Sequence, residues 1–148
     1  MKHRMQLSRE VHGKGFTLIE LLVVLVILGL LAGVVGPQVM KYLGSSKSKT
    51  ARLQIEELSA ALDLYRLELG RYPSSEEGLT ALVQPPGVVE ARWQGPYLKK
   101  KTVPKDPWGF DYHYQFPGQQ DVYDLFSLGA DNASGGDGEN SDVLGWES

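Results

Sequence analysis

Residues 15–40 read GFTLIELLVVLVILGLLAGVVGPQVM, and this stretch decides the fold. From Leu21 to Met40 no side chain is charged. At about 1.5 Å per residue, these twenty positions form a helix of about 30 Å, the thickness of the hydrocarbon core of a bilayer. A carboxylate near the middle of such a helix costs about 3 kcal/mol, so acids found there are usually paired and functional. The stretch therefore predicts a membrane-spanning helix in which Glu20 needs a cationic partner.

A basic leader precedes the apolar run. Residues 1–15 carry a side-chain charge of +3, which comes from Lys2, Arg4, Arg9, Lys14 and Glu10. A cut between Gly15 and Phe16 creates an α-amino group four positions from Glu20, and this ammonium ion is the expected partner. An uncleaved signal anchor and a secretory signal cut near Ala32 are the alternatives, although an acid inside the apolar region suits neither.

The leader, Gly15, Phe16 and Glu20 together resemble the prepilin peptidase site of type IV pilins and type II secretion pseudopilins. The resemblance implies that prepilin peptidase removes the leader on the cytoplasmic side and methylates the new N-terminus, which becomes N-methylphenylalanine. It also implies that Glu20 pairs with a subunit amine during assembly.

Charge and length describe a small acidic product. The whole chain has a formal charge of −3, so removal of the +3 leader leaves −6, which argues against nucleic acid as a partner. The basic leader favours a cytoplasmic N-terminus, while a second basic group opposes it: Lys41, Lys47, Lys49 and Arg52. The predicted organisation is a leader at 1–15, a transmembrane and assembly helix at 16–40, and a periplasmic domain at 41–148.

Apolar periodicity continues beyond the membrane segment. Pro37 should kink or loosen the helix, which then resumes. A stripe with helical spacing follows: Ala51, Ile55, Leu58, Leu62, Tyr65 and Leu69. Gly70 is placed to end the helix in a left-handed conformation, before Pro73. These signals predict one long helix from Phe16 to about Leu69, half in lipid and half packed on a domain.

Short elements are predicted in the rest of the chain. Ser74 and Glu77 have the spacing of a capping box, which indicates a short helix over 76–83. Alternating apolar residues predict strands over 112–116 and 122–128, with a turn at Pro117-Gly118 and the hairpin packed against the long helix. The predicted class is α+β.

Three segments narrow the resemblance to the major pseudopilin of type II secretion systems, within the type IV pilin superfamily. They are RYPSSEEGLTALVQPP at 71–86, PKDPWGFDYHYQFPG at 104–118 and YDLFSLGAD at 123–131. The resemblance implies a pilin-like fold and a structural subunit without enzymatic activity. It implies polymerisation into a periplasmic pseudopilus, with minor pseudopilins and the inner-membrane secretion platform as partners. A type IV or competence pilin and a membrane-anchored binding or enzymatic domain are the alternatives.

The loop 128–142 is rich in oxygen donors and glycine. Its acids are Asp131, Asp137, Glu139 and Asp142. Ca²⁺ takes six to eight oxygen ligands, so this composition suits a calcium loop. It is not an EF-hand, because Ala133 and Gly135 stand where that motif has ligands. A solvated, mobile acidic loop is the alternative.

The resemblance to the major pseudopilin implies a specific ligand set for Ca²⁺. It comprises the side chains of Asp131 and Asp142 and the backbone carbonyls of Leu128 and Ala133, with Ser141 as a further ligand. Asp137 competes with Asp142, because this loop is longer than some family versions. The chain has no cysteine, so a metal rather than a disulfide would fix the apolar residues that follow the loop.

Overall fold

The computed structural model describes residues 13–87 and 89–147. The molecule divides into two compact units between Val39 and Met40. Most of the predicted leader, residues 1–12, lies outside the described residues, and residues 13–15 are exposed and without regular structure. The regular elements are helix α1 (Leu18–Leu69), a 3₁₀ helix (Leu79–Leu82), strand β1 (His113–Gln115), strand β2 (Asp124–Ser127), a 3₁₀ helix (Gly138–Asn140) and strand β3 (Val143–Leu144).

Helix α1 has 52 residues and begins at Leu18, two positions later than predicted. The reason lies at Thr17, which stands outside the helix and caps it. The Thr17 hydroxyl oxygen accepts a hydrogen bond from the N–H of Glu20 at 3.3 Å, and so satisfies one of the amides that a helix start leaves unpaired. Phe16 therefore precedes the helix rather than opening it.

The other end of α1 is where the sequence predicts it. The helical path continues through Pro37 to Leu69. Gly70 then adopts a φ of 79°, and its N–H donates to the carbonyl oxygen of Arg66 at 2.8 Å. Glycine enters this left-handed conformation without steric cost, so the predicted glycine end is confirmed.

The apolar stripe predicted on α1 is the buried face of its second half. Each of its six positions is at most 3% exposed: Ala51, Ile55, Leu58, Leu62, Tyr65 and Leu69. The first 3₁₀ helix and the sheet cover this face with Leu79, Leu82, Leu125 and Val143. Since burial of apolar surface contributes about 25 cal/mol per Å², this cluster is the main source of stability in the unit Met40–Ser148.

The capping box after α1 forms, but the predicted helix over 76–83 is wrong in its extent. Ser74 Oγ accepts the N–H of Glu77 at 3.2 Å, and the Glu77 carboxylate accepts the N–H of Ser74 at 2.8 Å. A turn follows, and then only the 3₁₀ helix Leu79–Leu82. Gly78 separates the two, because its φ of 58° and ψ of −167° lie outside the helical range.

The three strands form one antiparallel sheet in the order β1-β2-β3. Tyr114 on β1 lies opposite Leu125 on β2, and Ser127 on β2 lies opposite Val143 on β3. The predicted hairpin is confirmed, with each strand shorter than its apolar pattern. Strand β3 is absent from the sequence prediction, because two residues cannot display an alternating pattern.

Candidate functional site

The predicted processing site lies in an accessible segment. Phe16 is 84% exposed. A Cβ built on Gly15 would have no atom within 4 Å. Both residues precede α1 and lack regular structure. Within the described residues, nothing packs over the bond between them that would hinder a peptidase.

Thr17 and Glu20 form a second capping box at the start of α1. The Glu20 carboxylate accepts hydrogen bonds from the Thr17 N–H at 2.9 Å and from the Thr17 hydroxyl at 3.1 Å. Glu20 therefore lies in the first turn, where the helix dipole favours an acid, and not near the middle of the helix. No lysine or arginine in the described part of the chain forms a salt bridge with it. The T-x-x-E spacing is the signature of this box, but the sequence prediction uses Glu20 only as the acid of assembly and does not include the cap.

The first half of α1 is an uncovered apolar surface. Every residue from Leu18 to Leu43 is exposed. Among the described helices, α1 is the one long and apolar enough to cross a membrane. None of its most apolar stretch of 18 residues is buried. A surface of this kind requires lipid or other apolar helices around it.

The two ends of the C-terminal loop are held together by backbone contacts. The N–H of Ala130 donates to the carbonyl oxygen of Glu139 at 2.8 Å. Gly129 has a φ of 72°, and a Cβ there would lie 2.8 Å from the carbonyl oxygens of Glu139 and Ser141. Only glycine fits so close an approach of the two chain segments.

The loop also contacts α1 directly. Gly44 is buried on the helix, whereas residues 40–43 before it are exposed. The half-buried side chain of Glu139 occupies the space where a Cβ at Gly44 would project. The absence of a side chain at Gly44 thus admits Glu139 to the helix surface.

Two of the predicted calcium ligands bind backbone amides inside the loop. Asp131, which is exposed, accepts the N–H of Ala133 at 3.1 Å. Asp142, which is half-buried, accepts the N–H of Gly135 with Oδ2 at 3.0 Å. Its other oxygen, Oδ1, is buried and has no hydrogen-bond partner among the described residues. An unpaired buried carboxylate oxygen is costly, so a hydrogen-bond donor or a cation at this oxygen would lower the free energy of the folded loop.

The remaining predicted ligands differ in position. Leu128 and Ser141 are half-buried at the two ends of the loop. Asp137 is exposed, and its side chain makes no capping bond to the 3₁₀ helix that follows. Within residues 13–87 and 89–147, no three His, Cys, Asp or Glu side chains come together as a metal cluster. A cation in this loop would therefore depend on carbonyl and hydroxyl oxygens in addition to two carboxylates.

The sequence prediction misses a buried polar pair, one member of which is Ser127, the residue directly before the loop. Asp106 and Ser127 are 5% and 0% exposed, and the Ser127 hydroxyl donates to Asp106 Oδ2 at 2.6 Å. The two residues are 21 positions apart, so no local spacing could have revealed the contact.

Similarity to known proteins identifies the family of this chain. Residues 38–146 match the family model described as type II secretion system (T2SS), protein G. The chain belongs to the protein G family of type II secretion. Residues 12–36 match the prokaryotic N-terminal methylation motif, which contains Gly15, Phe16 and Glu20.

Relatives of the protein G family cover nearly the whole chain. The type II secretion system core protein G of Pseudomonas aeruginosa is 46% identical over 136 residues, which are 90% of this chain and 94% of the relative. That of Vibrio cholerae is 43% identical over 134 residues, 89% and 90% of the two chains. The crystal structure of the major pseudopilin of enterohaemorrhagic Escherichia coli is 33% identical, with a TM-score of 0.61, and the match covers 74% of this chain and 94% of that one.

The comparisons confirm the main conclusions drawn from the resemblance. The fold is that of a pseudopilin, with one long N-terminal helix and a small antiparallel sheet. The function is that of a type II secretion pseudopilin with an N-terminal methylation motif. The protein G family consists of structural pseudopilin subunits, and the apolar helix indicates membrane anchoring. The calcium ligands and the roles of Gly15, Phe16 and Glu20 stay predictions.

Proposed function

We propose that this chain is a non-enzymatic subunit that polymerises through α1 into the type II secretion pseudopilus. Prepilin peptidase first cuts between Gly15 and Phe16 and methylates the new N-terminus. The main support for this proposal is the apolar surface of residues 18–43, which are all exposed. The predicted cleavage site directly precedes this surface and is also exposed. Such a surface suits lipid before assembly and the α1 helices of other copies afterwards.

Exposed apolar side chains on the second half of α1 support helix bundling further. Leu53, Leu64 and Leu67 are 64%, 42% and 81% exposed, on the side away from the buried stripe. Their spacing of 11 and 3 residues keeps them on one face of a helix. These residues lie after the proposed membrane span, so lipid does not cover them. A neighbouring copy of the chain would bury them.

Glu20 gives the bundle its register in this proposal. The ammonium group of Phe16 on one subunit pairs with the Glu20 carboxylate of its neighbour. In a low-dielectric bundle an unpaired charge is costly, so helices packed out of register would be disfavoured. The subunit is anchored in the bacterial inner membrane by a single span, with residues 41–148 in the periplasm. Minor pseudopilins and the inner-membrane secretion platform are its further partners.

The mass of the mature chain tests the processing step. We expect intact-mass measurement of the chain purified from membranes to show loss of residues 1–15 and addition of one methyl group at Phe16. A mature chain that begins elsewhere would contradict the assigned cut and remove the predicted amine from the neighbourhood of Glu20.

We also infer that the C-terminal loop binds one Ca²⁺. The proposed ligands are the carboxylates of Asp131 and Asp142, the carbonyl oxygens of Leu128 and Ala133, and Ser141. The unpaired, buried Oδ1 of Asp142 supports this assignment and favours Asp142 over the exposed Asp137. A cation bound there would cross-link the two ends of the loop, the role that a disulfide could otherwise fill.

Calorimetric titration tests the calcium site on the full chain in detergent. We expect one Ca²⁺ per chain, and a higher melting temperature with calcium than with a chelator. Identical melting curves in the two conditions would leave the loop as a solvated acidic segment.

A further inference from the structure

Asp106 is a buried carboxylate that takes no part in the proposed ligand set. Its Oδ1 accepts the backbone N–H groups of Trp108 at 3.1 Å and Phe110 at 2.8 Å. Its Oδ2 accepts the hydroxyl of Ser127 at 2.6 Å. All of these bonds fix the carboxylate in one orientation, because a buried acid has no water to turn toward.

Ser127 carries this constraint to the loop. Its hydroxyl hydrogen is committed to Asp106, so its oxygen lone pairs face other donors. The N–H of Gly129 donates to that oxygen at 3.2 Å. The chain of bonds therefore runs from Asp106 through Ser127 to the first peptide of the loop.

The geometry of that peptide links the bond to Ser127 with the direction of the Leu128 carbonyl. The Gly129 N–H and the Leu128 carbonyl belong to the same peptide unit, which is planar and trans, so the two groups point in opposite directions. A fixed N–H direction fixes the carbonyl direction. The Leu128 carbonyl is one of the proposed calcium ligands, and it can turn freely only if the bond to Ser127 is absent.

The sheet gives Ser127 a second connection to the site. Ser127 lies opposite Val143 in the β2–β3 pairing. Val143 directly follows Asp142, the proposed acidic ligand. Ser127 thus ends β2, where the loop begins, and pairs with the first residue of β3, where the loop returns to the sheet.

We propose that Asp106 and Ser127 are positioning residues of the calcium site, which hold the Leu128 carbonyl in its ligating direction through the Gly129 amide. This inference rests on the calcium site proposed above. Residues that orient ligands without touching a metal typically change metal affinity 10-fold to 100-fold when mutated. We expect Asp106→Asn and Ser127→Ala to weaken the Kd for Ca²⁺ about tenfold.

Asp124 provides a matched control on the same strand. It is as buried as Asp106, at 5% exposure. Its carboxylate also accepts backbone N–H groups, those of Gln119, Gln120 and Asp121, at the end of β2 that faces away from the loop. Asp124→Asn should therefore lower the melting temperature in chelator without changing the Kd for Ca²⁺.

The test is calcium titration of the full chain and its variants in detergent, with melting in chelator measured in parallel. A Kd weakened in Asp106→Asn and Ser127→Ala but unchanged in Asp124→Asn supports the inference. If the wild-type chain binds Ca²⁺ and all three variants bind it equally well, the positioning role is wrong while the calcium site stands. If the wild-type chain does not bind Ca²⁺, both fall. Should Asp106→Asn fail to fold, Ser127→Ala decides alone.

Discussion

The two capping boxes of this chain share a pattern and differ in their surroundings. At Ser74 and Glu77 the acid also pairs with Arg71, through two bonds of 2.7 Å each. At Thr17 and Glu20 the acid has the same kind of backbone bond, but no cationic side chain pairs with it among the described residues. A local motif can thus be complete in its hydrogen bonds and still leave its charge unpaired.

The difference is in the charge that each acid leaves without a partner. Glu77 is neutralised within its own domain, so it stabilises a turn and needs nothing further. Glu20 keeps a net charge on an apolar helix, so it favours a partner that brings a cation. In the C-terminal loop Asp142 resembles Glu20, because one of its oxygens has no partner in the described residues.

The largest expected effect, on pseudopilus assembly and secretion, is at Glu20. We expect Glu20→Ala to insert in the membrane and to be cleaved, but to form no pseudopilus and to support no secretion. Glu20→Gln is the sharper variant, because its amide oxygen can still accept the Thr17 N–H while its charge is gone. Assembly should fail in both, as measured by fibre formation from overproduced subunits. Normal fibres from Glu20→Gln would show that the cap, and not the charge, is what assembly requires.

The second largest effect is expected at Gly15, because cleavage after it creates the α-amino group that we propose as the partner of Glu20. Gly15→Val places a branched side chain beside the bond to be cut, and we expect the full-length precursor to accumulate. Gel mobility and intact mass report the result. Gly13→Val, two positions earlier, is the control and should be processed. A mature-length product from Gly15→Val would disprove the assigned site.

The next comparison is between two acids of the loop. Asp142 has a buried oxygen without a hydrogen-bond partner among the described residues, and Asp137 is exposed to solvent. Calcium at one hundred times its Kd adds about 2.7 kcal/mol to folding, which corresponds to several degrees of melting temperature in a domain of this size. Asp142→Ala should abolish that increment, and Asp137→Ala should keep it. The opposite result would move the second acidic ligand to Asp137.

The smallest effect is expected at Glu77. The bond with Arg71 lowers the pKa of Glu77 below its ordinary value of 4.5, although burial opposes this. The stabilisation is therefore complete above that value and is lost as the pH falls through the lowered pKa. Glu77→Gln should cost at most about 1 kcal/mol of unfolding free energy at pH 7, as ion pairs that water still reaches do; the Arg71 and Glu77 side chains are 35% and 17% exposed. The melting difference from wild type should shrink in acid, and a constant difference would exclude the ion pair as its cause.

Periodic signals predicted most of the fold. The stripe of α1, its end at Gly70 and the β1–β2 hairpin follow from spacing and turn residues that lie close in sequence. The short β3 and the Asp106–Ser127 bond could not be predicted, since each depends on a partner that only the tertiary fold brings near. For the loop, composition indicated oxygen donors, whereas the burial of one Asp142 oxygen and the direction of the Leu128 peptide exist only in the folded backbone.

Glu139 places a carboxylate against α1 at Gly44, shortly after the apolar run ends. Gly44 follows the last residue of the apolar run, Met40, by four positions, or about 6 Å along a helix. A carboxylate cannot be drawn into hydrocarbon at that point without a cost of several kcal/mol. The loop thus adds an acid to a stretch of α1 that already carries Lys41, so the seat of Glu139 on Gly44 marks a part of the helix surface that is unsuited to hydrocarbon.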